Sequence, residues 1–529
     1  MLSRCWRPQT GIFLVLLLWL LWMGRQQFLF DPGVFWSTIL GQQIVAQRAV
    51  PHEETFSFTM PGKPWNSHQW LAQVGMAAAH AVGGFDTILF AAALLLAVTY
   101  TFVAHRLIAG GWHWAIALLL TALTVLASRY HLHARPHIAG IALMAFVFTR
   151  LCDFEAGRIG LRGLLWLPAA FVLWSNLHGG ALGGLATATL VILGWCGAWL
   201  IGCFSPVADW RAVGRQLLLL TACWLACLVN PYGWQLPRDW ILLMQSDVIA
   251  RYMVEHQPLN VLNPAQQPIL LLAGVYVGGL GLAALHGGVR SVRVTWLLPL
   301  IWFVLTLQRV RHCTLFSITA IIAYADVLAQ TQLAAALARD EWLYRPNQPA
   351  ASVSRMVAAP AVVVAVALAL QATGVWRGWA RVESELAPVA LLDQIERSTK
   401  PGEPIFNDMA YGGFLIYHTP QLPIYLDDRC ELYGDEFLRD FFETNRAYLD
   451  APAEAVPTLP RFEAWAKQYG FRTALVRKTS GFDRYLASVP ERWVKLGEIE
   501  ELGGPGTPMA GKLLWGAVLY QRRPSNPPP

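Results

Sequence analysis

Long apolar runs recur through the first 380 residues of this 529-residue chain, and they limit its fold more than any other feature. A hydrocarbon core about 30 Å thick takes a helix of roughly 17–25 mainly apolar residues, because only a helix satisfies its own backbone there. Eleven such spans are expected, at 11–30, 85–107, 112–128, 137–151, 163–176, 178–203, 216–229, 266–285, 294–308, 312–330 and 358–376. Only 14% of the residues are charged, against about 25% in soluble domains. A soluble enzyme is excluded, as are a disordered chain and a disulfide scaffold. The eight cysteines form no CxxC pair.

Charge divides the chain where the apolar runs stop. Residues 381–529 hold 17 Lys+Arg against 21 Asp+Glu, whereas residues 1–380 hold 23 against 13. Arg4 and Arg7 precede the first run, and no small-residue cleavage site follows it, so it reads as a retained signal anchor with a cytoplasmic N-terminus. Threading onward puts Arg106, Arg150, Arg158 and Arg293 inside and the C-terminal region outside. The domains are then 1–380, a helical polytopic membrane domain with a long first exported loop at 31–84, and 381–523, an extracytoplasmic α/β domain. A disordered tail is expected at 524–529. In the exported domain, 404–407, 423–426 and 473–476 read as short buried strands, and 387–398, 435–449 and 460–469 as helices.

The exported face carries an unusual set of side chains. Basic residues there run against the positive-inside bias, yet Arg129, Arg135, Arg309 and Arg311 fall on it, beside His131, His133, His137 and His312. Arginine binds phosphate oxygens in bidentate fashion and stays protonated, so each is a candidate phosphate clamp; an interfacial arginine snorkelling to headgroups is the alternative. The i, i+2, i+6 spacing of the three histidines does not place them on one helical face, so no metal site is assigned. Acids on this face are few. Asp31, in Phe30-Asp31-Pro32-Gly33, reads both as the N-cap of a helix lying on the membrane and as a general base. Asn176 and His178 sit at a Gly-bounded break that is either a plain turn or a cavity wall, and Glu255 lies in an exported stretch, 230–265, long enough to act as a lid. Tyr411-Gly412-Gly413 and Asp427-Asp428-Arg429 lie at strand ends, as turn formers or as a weak phosphate-binding signal.

These residues in this order resemble the GT-C membrane glycosyltransferases, which use polyprenyl-phosphate-linked sugars. The similarity is to a bacterial branch grouped with lipopolysaccharide sugar transferases. Asp31 matches the acid after the first span, and Glu54 in Pro51-His52-Glu53-Glu54-Thr55-Phe56-Ser57 matches a second acid. Trp65, His68, Trp70 and Leu71 match a closing Trp-x-x-His-Glu-Trp-Leu motif. Arg135-Pro136, Trp174 to Gly180, Asn230 to Gly233 and Arg309 to His312 follow in the same order. Gly33 and Ser37 stand where the resemblance implies Asp and His, and Gln69 where it implies Glu, so a metal-binding pair does not carry over.

The resemblance implies an inverting glycosyltransferase of the bacterial inner (plasma) membrane. Its donor is a polyprenyl-phosphate sugar and its acceptor a glycan, lipid or protein outside the cytoplasm. Asp31 serves as base and Glu54 as a second carboxylate that orients the acceptor or holds an optional metal. Arg129, Arg135, Arg309, Arg311, His131 and His312 bind donor phosphate, and Trp65, His68, Trp70, Asn176, His178 and Glu255 line the cavity or bind acceptor. No cofactor is required, a divalent cation is optional, and no nucleic acid is involved. A non-catalytic envelope-assembly protein and a lipid-linked sugar transporter are the alternatives. The transporter lacks its expected signature, since the acids cluster at loops and no segment of the first half recurs in the second.

Overall fold

A computed structural model of the chain describes residues 7–329, 353–373, 377–380, 388–450, 460–500 and 516–524. Helices dominate it. In chain order they are α1 (Pro8–Gln27), α2 (Gly33–Gln47), α3 (Trp70–Ala109), α4 (Trp114–Ala127), α5 (His137–Glu155), α6 (Leu167–Leu177), α7 (Ala181–Leu200), α8 (Trp210–Ala226), α9 (Gln235–Gln245), α10 (Asp247–Tyr252), α11 (Gln267–Gly287), α12 (Val294–Gln308), α13 (Cys313–Leu328) and α14 (Val353–Ala372).

Six helical stretches among the described residues are long and apolar enough to cross a membrane, those of α1, α3, α5, α7 and α11 and the stretch 310–327 that contains α13. Four shorter apolar helices accompany them: α4, the 161–177 stretch that ends in α6, α12 and a part of α14. The seventh expected span, 216–229, is α8, which starts earlier and carries Arg211 and Arg215 in its first turns. The expected start at 85 has a backbone cause. Gly83 and Gly84 leave helical geometry inside α3, and Gly84 takes φ +66°, which favours glycine. At one end of the bundle Arg106 and Arg158 bind both Asp153 and Asp326, tying α3, α5 and α13 together.

The first loop folds back on itself. His52 accepts a backbone bond from Trp65, and Glu54 donates one to Lys63, around a turn in which Gly62 has φ +65°. This hairpin then joins the C-terminal domain, because Phe56 and Phe58 exchange backbone bonds with Ile424.

That domain has a four-stranded sheet in the order β1 (Ile405–Asn407), β2 (Thr473–Arg477), β4 (Ala517–Arg522), β3 (Trp493–Ile499). β1 and β2 are parallel; β4 runs antiparallel to both its neighbours. The expected strand at 423–426 is reduced to Ile424, which bridges Ser57 on one side and Ile405 on the other. Helices α15 (Leu392–Ser398), α16 (Met409–His418), α17 (Cys430–Tyr433), α18 (Asp435–Leu449), α19 (Pro460–Tyr469) and α20 (Gly481–Ser488) surround the sheet. Phe406 on β1 meets Tyr425, Phe462, Phe471 and Phe482 with ring centroids 4.6–5.2 Å apart, the aromatic centre of this core. Apart from Pro524, the expected disordered tail lies outside the described residues.

The Gly-Gly pair is a packing feature and not a phosphate cradle. Tyr411-Gly412-Gly413 lies inside α16, whose N-cap is Asp408. A Cβ on Gly413 would stand 2.0 Å from the Pro32 carbonyl oxygen, and one on Gly412 2.3 Å from that of Leu426. The two glycines let α16 press against the start of α2 and against the chain before Asp427.

Candidate active site at the junction of bundle, first loop and C-terminal domain

Asp31 stands at the start of α2, where its Oδ1 accepts the Gly33 amide hydrogen at 2.9 Å. The same oxygen receives Arg135 Nε at 2.8 Å. Arg135 comes from the turn before α5 and reaches on to Asp428 of the C-terminal domain, so one guanidinium joins two carboxylates. Asp428 also accepts the Trp36 indole N–H at 2.6 Å. Gly33 makes this fit: a Cβ there would lie 2.2 Å from Arg135 Nη2 and 2.5 Å from Nε. The departure at Gly33 is thus the room that the arginine occupies. Asp31 and Arg135 keep 10% and 28% side-chain exposure.

A second arginine runs the opposite way. Arg429, from the C-terminal domain, is 1% exposed and pairs with Glu54 Oε2 at 2.6 Å and Asp427 Oδ2 at 2.6 Å. Its guanidinium lies among the rings of Trp36, Phe56 and Trp65, 4.8–5.5 Å from their centroids. Burial pulls that guanidinium down, but Asp427 and then Glu54 outweigh it and hold it above its usual value. Glu54 therefore does not face an acceptor. Its side chain has no exposure, and Oε1 takes the amide hydrogens of Phe56 and Ser57 at 2.6 and 2.5 Å. It neutralises Arg429 and shapes its own loop.

Glu255, His256 and Arg311 form the third part, from the turns at Val254–His256 and Val310–His312. Arg311 hydrogen-bonds the His256 ring. Burial raises the Glu255 carboxyl, but Arg311 foremost, then His131, Arg135 and His256, outweigh it and hold the group below the carboxylate range. Burial and Arg311 bring the His256 imidazole down to about 3, so it is neutral and able to accept. His131 bonds Thr314 at 2.9 Å through Nδ1, and its carbonyl meets His137 Nε2 at 2.6 Å. The His137 ring lies 6.2 Å from that of His178, whose Nδ1 accepts the Gly180 amide hydrogen.

Other expected site residues are placed differently. Arg309 donates to the Met244 carbonyl at 3.2 Å, His312 lies against the Trp302 ring, and Arg129 is half-buried in the turn after α4. Trp70 and Asn176 bond each other at 2.8 Å, and Asn176 also donates to the Val172 and Val229 carbonyls. That pair ties helix ends together, and neither residue is on the wall of the cleft beside Trp65. Trp65 is buried, with its indole N–H on Glu431 at 3.1 Å. Trp65 and His68 both line a cavity, a cleft of about 560 Å³ bounded by the first loop, α9 and the segment Cys430–Asp435.

The sequence reading counts Asp239 among the acids of the exported face but gives it no role, and it missed Glu431 and Asp435 in that cleft and Asp428 as the partner of Arg135. The Asp427-Asp428-Arg429 trio was the available signal, at the end of an expected strand. The cleft and the charged cluster adjoin, since Trp65 on the cleft wall packs edge-on against Trp36, which bonds Asp428. Among the described residues no group of three or more His, Cys, Asp or Glu side chains is arranged to hold a metal ion.

No family model matches the sequence, and no curated protein matches it. Among solved structures, the Archaeoglobus fulgidus oligosaccharyltransferase, captured with a disulfide-tethered acceptor peptide containing the NVT sequon, is similar over 88% of this chain and 68% of its own, at 10% identity and a TM-score of 0.48.

Proposed function

We propose that this protein transfers a sugar from a polyprenyl-phosphate-linked donor to an acceptor outside the cytoplasm. The observation that carries the reading is convergence. Asp31, Arg135 and Asp428 come from three separate segments and meet through one guanidinium, and Arg311 hydrogen-bonds the ring of His256, the neighbour of Glu255.

The chemistry follows from the residue types. The acceptor hydroxyl oxygen bonds to the anomeric carbon as the anomeric carbon–oxygen bond to phosphate breaks. The bonding pair leaves on the phosphate oxygen, and the hydroxyl proton passes to Asp31. A single displacement inverts the anomeric centre. Arg311 and Arg135 take the phosphate, because guanidinium groups bind developing anionic charge best in a poorly hydrated site. Arg135 has a further part. When it turns toward phosphate it releases Asp31, whose carboxylate then becomes a better proton acceptor. Donor binding and base activation are coupled through one side chain.

Gly33→Ala tests this placement. The added methyl displaces the flexible end of Arg135 and not backbone, so the thermal midpoint should move little while transfer falls about tenfold or more. Unchanged transfer would separate the Arg135 position from the reaction. The broader reading is checked by mass analysis of surface glycans from cells with and without the protein. Loss of one sugar unit is expected; identical glycans in both would remove the proposal.

A further inference from the structure

We infer that the cleft beside Trp65 is the acceptor subsite, and that it is built for a saccharide carrying a protonated amine. The inference rests on the transferase reading, and it narrows the acceptor from glycan, lipid or protein to one class.

The volume of about 560 Å³ falls within the roughly 300–1,000 Å³ usual for small-ligand sites. The wall is mixed, with Leu242, Leu243, Ile249 and Trp65 as its apolar part. It presents flat hydrogen-bonding groups from three segments: Asn66 and His68 from the first loop, Gln235 and Asp239 from α9, and Glu431 and Asp435 from the C-terminal domain. Vicinal hydroxyls of a sugar ring match such planar donors and acceptors in pairs.

Charge sharpens the assignment. Each of the three carboxylates is fixed by one neutral donor: Asn66 Nδ2 on Asp239 at 2.8 Å, Trp65 Nε1 on Glu431 at 3.1 Å, and Ser246 Oγ on Asp435 at 2.6 Å. Among the described residues, none of the three forms an ion pair. The one arginine on the wall, Arg238, lies over the Trp234 ring, 5.6 Å from its centroid. The acids are thus oriented by groups that leave their charge uncompensated, and an ammonium group on the ligand supplies the missing cation. The cleft is joined to the Asp31–Arg135–Asp428 chain through its wall residue Trp65, which packs on Trp36, whose indole N–H bonds Asp428.

Calorimetric titration of the purified full-length protein in nanodiscs with a glucosamine trimer, its fully N-acetylated form, maltotriose and a lysine-containing tripeptide tests the inference. The amine trimer is expected to bind at least tenfold more tightly than the other three. Glu431→Gln and Asp239→Asn keep an oxygen for the Trp65 and Asn66 donors, so they should fold normally, and each should weaken the amine trimer about tenfold more than it weakens maltotriose. Equal binding of the acetylated and amine trimers would overturn the charge assignment, and preference for the tripeptide, or no binding at all, would overturn the subsite. No donor enters the titration, so its outcome is separate from that of the transfer reaction. Selective amine binding together with full transfer by an Asp31→Asn variant would sink the mechanism and leave the subsite standing.

Discussion

Asp31→Asn is expected to lower sugar transfer by about 10²–10⁴-fold, the range set by loss of a positioned general base. The asparagine oxygen can still accept the Gly33 amide hydrogen, so the start of α2 keeps its cap and the variant should insert and fold as before. What it lacks is a group that takes a proton. The defect should therefore fall on kcat, with KM for the lipid-linked donor nearly unchanged, since in the proposed mechanism Arg311 and Arg135 hold the phosphate. Arg135→Gln should behave differently. It weakens donor binding and leaves Asp31 and Asp428 without their shared cation, so KM rises as kcat falls. Wild-type kcat in the Asp31→Asn variant would remove this carboxylate from the mechanism, whatever the Arg135 variant does.

The second large effect is on stability. Arg429→Ala strands Glu54 and Asp427 as adjacent buried carboxylates and empties the space among Trp36, Phe56 and Trp65. Breaking a buried ion pair from one side costs about 3–5 kcal/mol. The thermal midpoint of the solubilised protein should fall by roughly 10 °C, on the scaling for domains of this size. Arg429→Lys should recover little, because one ammonium cannot reproduce a fork that serves Asp427 through two nitrogens and Glu54 through a third. Combining Arg429→Met with Glu54→Gln and Asp427→Asn should restore much of the loss by removing the stranded charges. A midpoint within a degree or two of wild type for Arg429→Ala would mean that the clasp does not hold the domain.

The pattern of legibility follows from the range of the forces. The apolar runs, with one starting at 85, were readable because helix burial acts over a few neighbouring residues. The same holds for α18, which spans the expected 435–449, and for α19, at the expected 460–469. Strands β3 and β4 were not read. β3 alternates about its Lys495 and Gly497 with only partial burial, and its partner lies beyond a long Gly- and Pro-containing connection. At 423–426 an apolar run resembled a strand, yet only Ile424 finds partners on both sides.

The site divides in the same way. Asp31 and Arg135 could be named from their places beside apolar spans, and so could Glu54, but its role could not. Glu54 meets its arginine 375 residues later in the chain, and nothing near Glu54 in sequence tells a carboxylate that faces solvent from one that neutralises a buried guanidinium. The partner of Asp428 and the cleft acids Glu431 and Asp435 were hidden for the same reason.

Alone, the sequence determined that the chain must place helices in a bilayer, carry a polar α/β domain after them and gather arginine, histidine and a few acids at one set of loops. Only the tertiary structure decided which acid meets which arginine. Apolar burial is set by local periodicity, whereas a charge is settled by whichever partner the fold brings within hydrogen-bonding reach.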